Sequence, residues 1–185
     1  MPPPLMVQFR AGDAGPWRIE RMLPVTGAAL PAATHLAILE GTAPPPPGAA
    51  AWSLRGSTGN LRYTHRSEAD SLAARQAGLG RPAARCAALI PIRKNAAWWS
   101  LAQDERRAIL EEESQHIAIG MEYLPAISRR LHHSRELGEP FDFITWFEYA
   151  PEHAAAFDEM LRRLRAKPEW GFVEREVDLR LRRLD

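Results

Sequence analysis

Between Trp170 and Arg182 the chain alternates with a period of two. Val173, Val177, Leu179 and Leu181 fall on one side, and Glu174, Glu176, Asp178 and Arg180 on the other. Successive side chains of a strand point to opposite faces, so this pattern predicts one long, half-buried strand. The elements before it are equally legible. Cys86–Ile92 is a short apolar run between Pro82 and Arg93-Lys94-Asn95, which reads as a buried strand. Ser100 and Gln103 have the spacing of a capping box, and Leu101, Ala108, Ile109 and Glu112 follow at helical intervals to about Glu113. After Pro125, the segments Ile127–Ser134 and Phe141–Tyr149 flank Gly138-Glu139-Pro140, the punctuation of a hairpin with a longer loop. Pro151 suits the first turn of a helix with Ala154, Phe157, Leu161 and Leu164 on one face. Arg163, Arg165 and Lys167 crowd its last turn, and Pro168 stops it.

The order is therefore β-α-β-β-α-β, the ferredoxin-like unit. The first half carries a weaker version. Strand-like pieces occur at Leu5–Phe9, Trp17–Leu23, Thr34–Leu39 and Ala51–Leu54, and Asn60–Thr64 continues the pattern. The proline run Pro44–Pro47 reads as an extended surface connection, and Ser67 as the N-cap of a helix ending at Gly78. The expected architecture is α+β: a shortened ferredoxin-like half at 1–80 and a second at 81–185. Their sheets would close side by side into a β-barrel with external helices.

Composition narrows the function classes. Among 185 residues, 24 basic and 23 acidic side chains leave a formal charge of +1, which disfavours a dedicated nucleic-acid binder. The single cysteine, Cys86, excludes an internal disulfide framework and a multi-cysteine zinc or iron–sulfur site, and it fits a reducing compartment. The N-terminus has no basic region before an apolar core, and no apolar run approaches ~18 residues. A cytoplasmic protein without a membrane span is the expectation.

No phosphate-binding glycine loop, nucleophile elbow or zinc-protease helix motif is present. Of six histidines, His132 and His133 are neighbours on a strand and cannot share a metal, and His153 sits in a first helical turn. His116 follows an amphipathic helix and has apolar or small neighbours in Ile117-Ala118-Ile119-Gly120. That setting suits an axial ligand for an apolar cofactor, and equally a satisfied core or surface histidine. Arg129 and Arg130 are adjacent on a strand. One must point inward if the strand lines a barrel, unless both reach solvent from a strand end. Trp98 and Trp99 read as core or interface residues, and Glu169 as a turn carboxylate.

Taken together, several stretches resemble the chlorite dismutase family. They are Ala88-Leu89-Ile90-Pro91-Ile92-Arg93-Lys94, Ala97-Trp98-Trp99, Ser114-Gln115-His116-Ile117-Ala118, Tyr123-Leu124-Pro125-Ala126-Ile127, Gly138-Glu139-Pro140-Phe141-Asp142-Phe143, Thr145-Trp146-Phe147-Glu148-Tyr149 and Glu174-Arg175-Glu176-Val177-Asp178. The likeness is dense from about Trp52 to Arg183, and the short chain resembles the compact, dimeric lineage known as clade 2. It implies a dimeric α+β-barrel fold, heme b, a homodimer, and conversion of chlorite to chloride and dioxygen with formation of an O–O bond; heme being a large apolar disc, a barrel interior is the expected place for it.

By the same resemblance, His116 matches the proximal iron ligand, and Arg129, thirteen positions on, the distal arginine. Glu169 matches the carboxylate that bonds the proximal imidazole, and Lys94 the lysine that reaches a heme propionate. Trp98 matches the tryptophan beside the heme, Trp99 its neighbour near the subunit interface, and Gln76 the glutamine that can hold the distal arginine. Many relatives carry two histidines in tandem where this chain has Gln115-His116. The alternatives are a coproheme decarboxylase of the same superfamily, against which Arg129 argues, and a dimeric barrel that binds heme without catalysis.

Overall fold

The computed structural model describes residues 3–185. The alternating C-terminal segment is a strand, and it ties the molecule together. It spans Val173–Arg183 and pairs antiparallel with Trp17–Thr26 on one side and Cys86–Lys94 on the other. In chain order the strands are β1 Met6–Gly12, β2 Trp17–Thr26, β3 His35–Glu40, β4 Ala50–Ser57, β5 Cys86–Lys94, β6 Ser128–His133, β7 Phe143–Tyr149 and β8 Val173–Arg183. They close into one antiparallel barrel in the order β1-β3-β2-β8-β5-β7-β6-β4. Strands β8-β5-β7-β6 have the ferredoxin order, fourth-first-third-second, and β4-β1-β3-β2 repeat it. In that repeat the helices between strands are missing. A four-residue link, 13–16, and the proline-rich segment 41–49 stand in their place.

The two seams differ. β2 and β8 pair along their length, from Trp17↔Arg183 to Thr26↔Glu176. β4 and β6 pair only at Ser57↔His133. Gly56 makes that second closure possible, because a Cβ there would stand 2.5 Å from the His132 Cβ.

The barrel interior is solid. Phe9, Trp17, Leu89, Trp146 and Leu179 fill it, with Trp17 edge-on to Trp146 at 5.1 Å. Each such burial contributes roughly 1.5–3 kcal/mol, and no room is left for a prosthetic group. The expectation of a cofactor inside the barrel is therefore corrected: the open space lies on the outer face of the sheet.

Helices cover that outer face. They are α1 Arg66–Arg75, α2 Ala96–Ser100, α3 Gln103–Arg107, α4 His116–Glu122 and α5 Ala154–Arg165. Phe157, Met160, Leu161 and Leu164 of α5 pack on Ile90, Phe147 and Tyr149. The middle of the polar side of β8 is consequently not solvated, although Glu174 at its start stays exposed. Glu176 is 0 % and Asp178 3 % exposed. Arg165 donates to Glu176 Oε1 from Nε (2.8 Å) and Nη2 (2.6 Å), and Nη2 also reaches Asp178 Oδ2 at 3.0 Å. Buried carboxylates persist when paired in this way.

Several local expectations shift. Asn60–Thr64 is a turn in which Asn60 Oδ1 accepts from Arg62 N at 2.8 Å. α1 is capped at His65, whose N–H donates to Glu68 Oε2 at 2.8 Å, and it ends at Arg75, short of Gly78. Ser100 closes α2 rather than capping a helix. The next helix starts after Ala102, whose N–H meets Glu105 Oε2 at 2.6 Å, and continues as a π-helical turn over Ala108–Glu113. Among the described residues no helix is long and apolar enough to cross a membrane.

Candidate active site

The short helix α4 is hard to see in the sequence because an unusual residue starts it. Gln115 takes the left-handed conformation (φ 54°, ψ 35°), which breaks the chain direction after the π-helical turn. Glu111 then folds back over the new helix. Its carboxylate accepts from Ile117 N at 2.6 Å and Ala118 N at 3.1 Å, filling N–H groups that a helix start leaves open. This kink aims the His116 side chain at the outer face of the sheet.

A second short element meets it there. The 3₁₀ turn Pro168–Phe172 buries Glu169, whose N–H is held by Ser114 Oγ at 3.0 Å. Glu169 Oε2 accepts from His116 Nδ1 at 2.6 Å, and Oε1 from Lys94 Nζ at 2.8 Å. Burial alone would raise the Glu169 pKa. The His116 imidazole and the Lys94 ammonium outweigh it and hold the carboxyl down at about 2. Accepting from Nδ1–H fixes the tautomer, and among the described residues His116 Nε2 has no hydrogen-bond partner.

Next to this triad lies a cavity of about 320 Å³ between the outer face of β5, β6 and β7 and the helices α1 and α4. All six site residues expected from the sequence (Gln76, Lys94, Trp98, His116, Arg129 and Glu169) line it. Its walls include Leu72, Leu110 and Ile117, and Leu131 stands 43 % exposed within it. Arg129 enters from β6 with its guanidinium against Gly120 of α4. A Cβ on that glycine would sit 3.3 Å from Arg129 Nη1. Burial lowers the Arg129 pKa, opposed by the Glu111 carboxylate.

One expected contact takes another form than the resemblance implies. Gln76 does not meet the guanidinium; its Oε1 accepts from the main-chain N–H of Arg129 at 3.1 Å. The Lys94 ammonium, on a residue 4 % exposed, is engaged by Glu169 and lies 4.4 Å from the Trp98 ring centroid. A buried cation next to a buried carboxylate takes that partner first. Trp99 is half-buried, stacks on Phe143 at 6.1 Å and donates to Asp142 Oδ2 at 3.1 Å. The adjacent strand residues separate as expected: Arg130 bonds His132 Nε2 (3.1 Å) and Glu40 on the barrel side, while Arg129 faces the cavity.

Among the wall residues that sequence reasoning did not assign to the site, three stand out. Arg62, in a left-handed turn (φ 34°), and His133 border the cavity beside Trp98. Trp98 Nε1, Arg62 Nε and His133 Nδ1 are buried there without hydrogen-bond partners among the described residues. Trp170 is the third; its ring stacks on His116. Only Trp170 carried a signal, as the neighbour of Glu169.

Comparison with known proteins agrees with the resemblance. A family model described as chlorite dismutase matches residues 48–182. A chlorite dismutase of Ideonella dechloratans is 34% identical over 127 residues, 64% of this chain and 42% of that protein, so the match spans less than half of that relative. The dimeric chlorite dismutase structure from Nitrobacter winogradskyi is 54% identical, with a TM-score of 0.88, covering 96% of this chain and 99% of that one. The structure of chlorite dismutase from Candidatus Nitrospira defluvii in complex with imidazole is 18% identical, with a TM-score of 0.61 over 96% and 90% of the two chains, a likeness of fold alone. With the family model matching most of its length and a 54%-identical structure spanned almost end to end, this chain belongs to the chlorite dismutase family.

Proposed function

We propose that the chain binds heme b in this cavity through His116 Nε2 and converts chlorite to chloride and dioxygen. The carrying observation is the buried chain Lys94–Glu169–His116, which points an unpartnered imidazole nitrogen at the same space that the Arg129 guanidinium enters. The residues suit a flat apolar group with carboxylates. Aliphatic side chains form walls, and Trp98 Nε1 and Arg62 Nε are buried N–H donors that lack acceptors. Such orphaned donors cost about 1–3 kcal/mol each, a cost that a carboxylate oxygen would remove.

When bound, heme supplies the redox centre at which the Cl–O bonds break. The electrons that chlorine gains are those the two oxygens lose, so the reaction needs no external reductant. The chain's own residues divide the remaining work. Glu169, kept ionised by Lys94, makes the imidazole a stronger donor. Trp98 and Arg62 would be the residues to hold the heme carboxylates, through N–H groups that otherwise lack acceptors. Arg129 supplies a charge that does not titrate with pH, draws an anion into the cavity and holds it there. Gln76 pins the strand from which Arg129 projects. Leu72, Leu110 and Ile117 limit water.

The dimeric state of the N. winogradskyi protein supports a homodimer for this chain as well. The test of the activity is direct. Heme-loaded protein given chlorite should evolve dioxygen at an oxygen electrode, and His116→Ala should lack the Soret band and the activity. Heme uptake without oxygen would reduce the reading to heme binding, and CO₂ release from coproheme would replace it with decarboxylation.

A further inference from the structure

We infer that Trp170 is a positioning residue that sets the ring plane of His116. A hydrogen bond at Nδ1 fixes one point of an imidazole but leaves the ring free to swing about that contact. In this structure a second constraint acts on the face. The Trp170 ring lies 6.1 Å from the His116 ring, centroid to centroid, at an interplanar angle of 21°. Glu169 and Trp170 are consecutive residues of one 3₁₀ turn, so the turn grips the imidazole by edge and by face.

Trp170 is itself anchored. Its Nε1 donates to Glu176 Oε2 at 2.8 Å, and Glu176, wholly buried on β8, has its other oxygen held by Arg165 of α5. The Lys94 ammonium, bonded to Glu169, stands 5.7 Å from the Trp170 ring centroid. The ring plane is thus connected to the packed α5–β8 layer through Arg165, Glu176 and Trp170 in turn. Offset aromatic stacking of this kind is enough to select one ring orientation without holding the helix in place.

The inference rests on the heme reading only in the loaded arm of its test. In the heme-free full chain, NMR relaxation of ¹³C,¹⁵N-histidine, assigned to His116 by difference with His116→Ala, reads ring order. Trp170→Leu should lower the ring order parameter from the rigid range into that of flexible groups, below about 0.6. Trp170→Phe, which keeps an aromatic face, should restore at least half of the loss. In heme-loaded ferric protein with added imidazole as probe ligand, the low-spin electron paramagnetic resonance lines should broaden about twofold in Trp170→Leu and narrow again in Trp170→Phe. A residue needed only for packing would change melting temperature in both variants and neither spectrum. Parent-like order and line widths in Trp170→Leu, or no recovery in Trp170→Phe, would overturn the inference. A loaded parent with no histidine-ligated iron signal would overturn the heme reading instead, and the heme-free arm would still decide the role of Trp170.

Discussion

Gln76 holds Arg129 by its main chain: its Oε1 accepts the Arg129 N–H at 3.1 Å, and the guanidinium is left free in the cavity. β6 pairs with β7 on one edge, but on the other it meets β4 only at Ser57↔His133. Gln76, just past the end of α1, therefore acts as a one-bond substitute for a missing strand. This ties the wall helix to the strand that carries Arg129 and leaves the arginine side chain able to reorient.

Gln76→Ala should therefore lower stability by about 1 kcal/mol, the usual worth of a lost hydrogen bond, and Gln76→Glu should lose less because it keeps an acceptor. Urea midpoints at constant slope would show it. Equal midpoints for parent and Gln76→Ala would remove the main-chain role.

Arg129→Ala should keep the fold and the cofactor. A charged hydrogen bond is worth roughly 1.5–3 kcal/mol, so turnover should fall on the order of tenfold to a hundredfold. Weaker retention of hypochlorite-level fragments should shorten the life of the protein under chlorite, and added methionine should lengthen it again. Oxygen yield per heme before inactivation is the measurement. A parent-like yield, indifferent to methionine, would point away from Arg129.

Glu169→Gln should act twice. It strips the imidazole of its anionic partner, so the iron reduction potential should rise. It also leaves Lys94 as a buried cation without a counter-charge, a loss of about 3–5 kcal/mol. Glu169→Gln combined with Lys94→Met should recover much of the stability but not the potential. Melting curves and spectroelectrochemistry separate the two effects, and failure of the double variant to recover would argue against the pair.

His132 gives stability an acid limit. It is wholly buried among Phe9 and Gly56, and burial brings its pKa down to about 4, with Arg130 adding to the shift and the Ile144 carbonyl and Glu40 opposing it. Burial also lowers the pKa of His133 beside it, with Arg62 adding to the shift. The folded pKa lies below the unfolded value of about 6.5, so the unfolded chain binds the proton first. Stability is complete above pH ~6.5 and falls as pH drops toward 4, by up to about 3 kcal/mol from His132. His132→Gln should flatten that slope in denaturation experiments between pH 7 and 4. An unchanged slope would place the acid sensitivity elsewhere.

Gly56→Ala should weaken the β4–β6 seam. The new methyl would meet the His132 Cβ at 2.5 Å, and neither strand can shift freely in a closed barrel. Overpacking of this type costs roughly 1–3 kcal/mol. Thermal unfolding would register it, and faster amide exchange at Ser57 and His133 would localise it.

Much of this protein was settled by local pattern. The period-two run of β8 and the order of the second-half elements follow from residue types and spacings, because strand and helix periodicities depend on near neighbours in the chain, whereas the roles of His116 and Glu169 were legible only through the family resemblance. The same rule separated Arg129 from Arg130 and His132 from His133. What a periodic pattern states, however, is which residues share a face, not what covers it. The buried state of Glu176 and Asp178 and the cavity on the outer face were decided by α5 and α1 packing onto the sheet from distant parts of the chain, and the solid interior by the closure of all eight strands into one barrel. The partners of Lys94 and Gln76 belong to the same class. An ammonium or an amide takes the nearest acceptor or donor that the assembled fold brings within ~3 Å, and only tertiary structure brings Glu169 to one and the Arg129 main chain to the other.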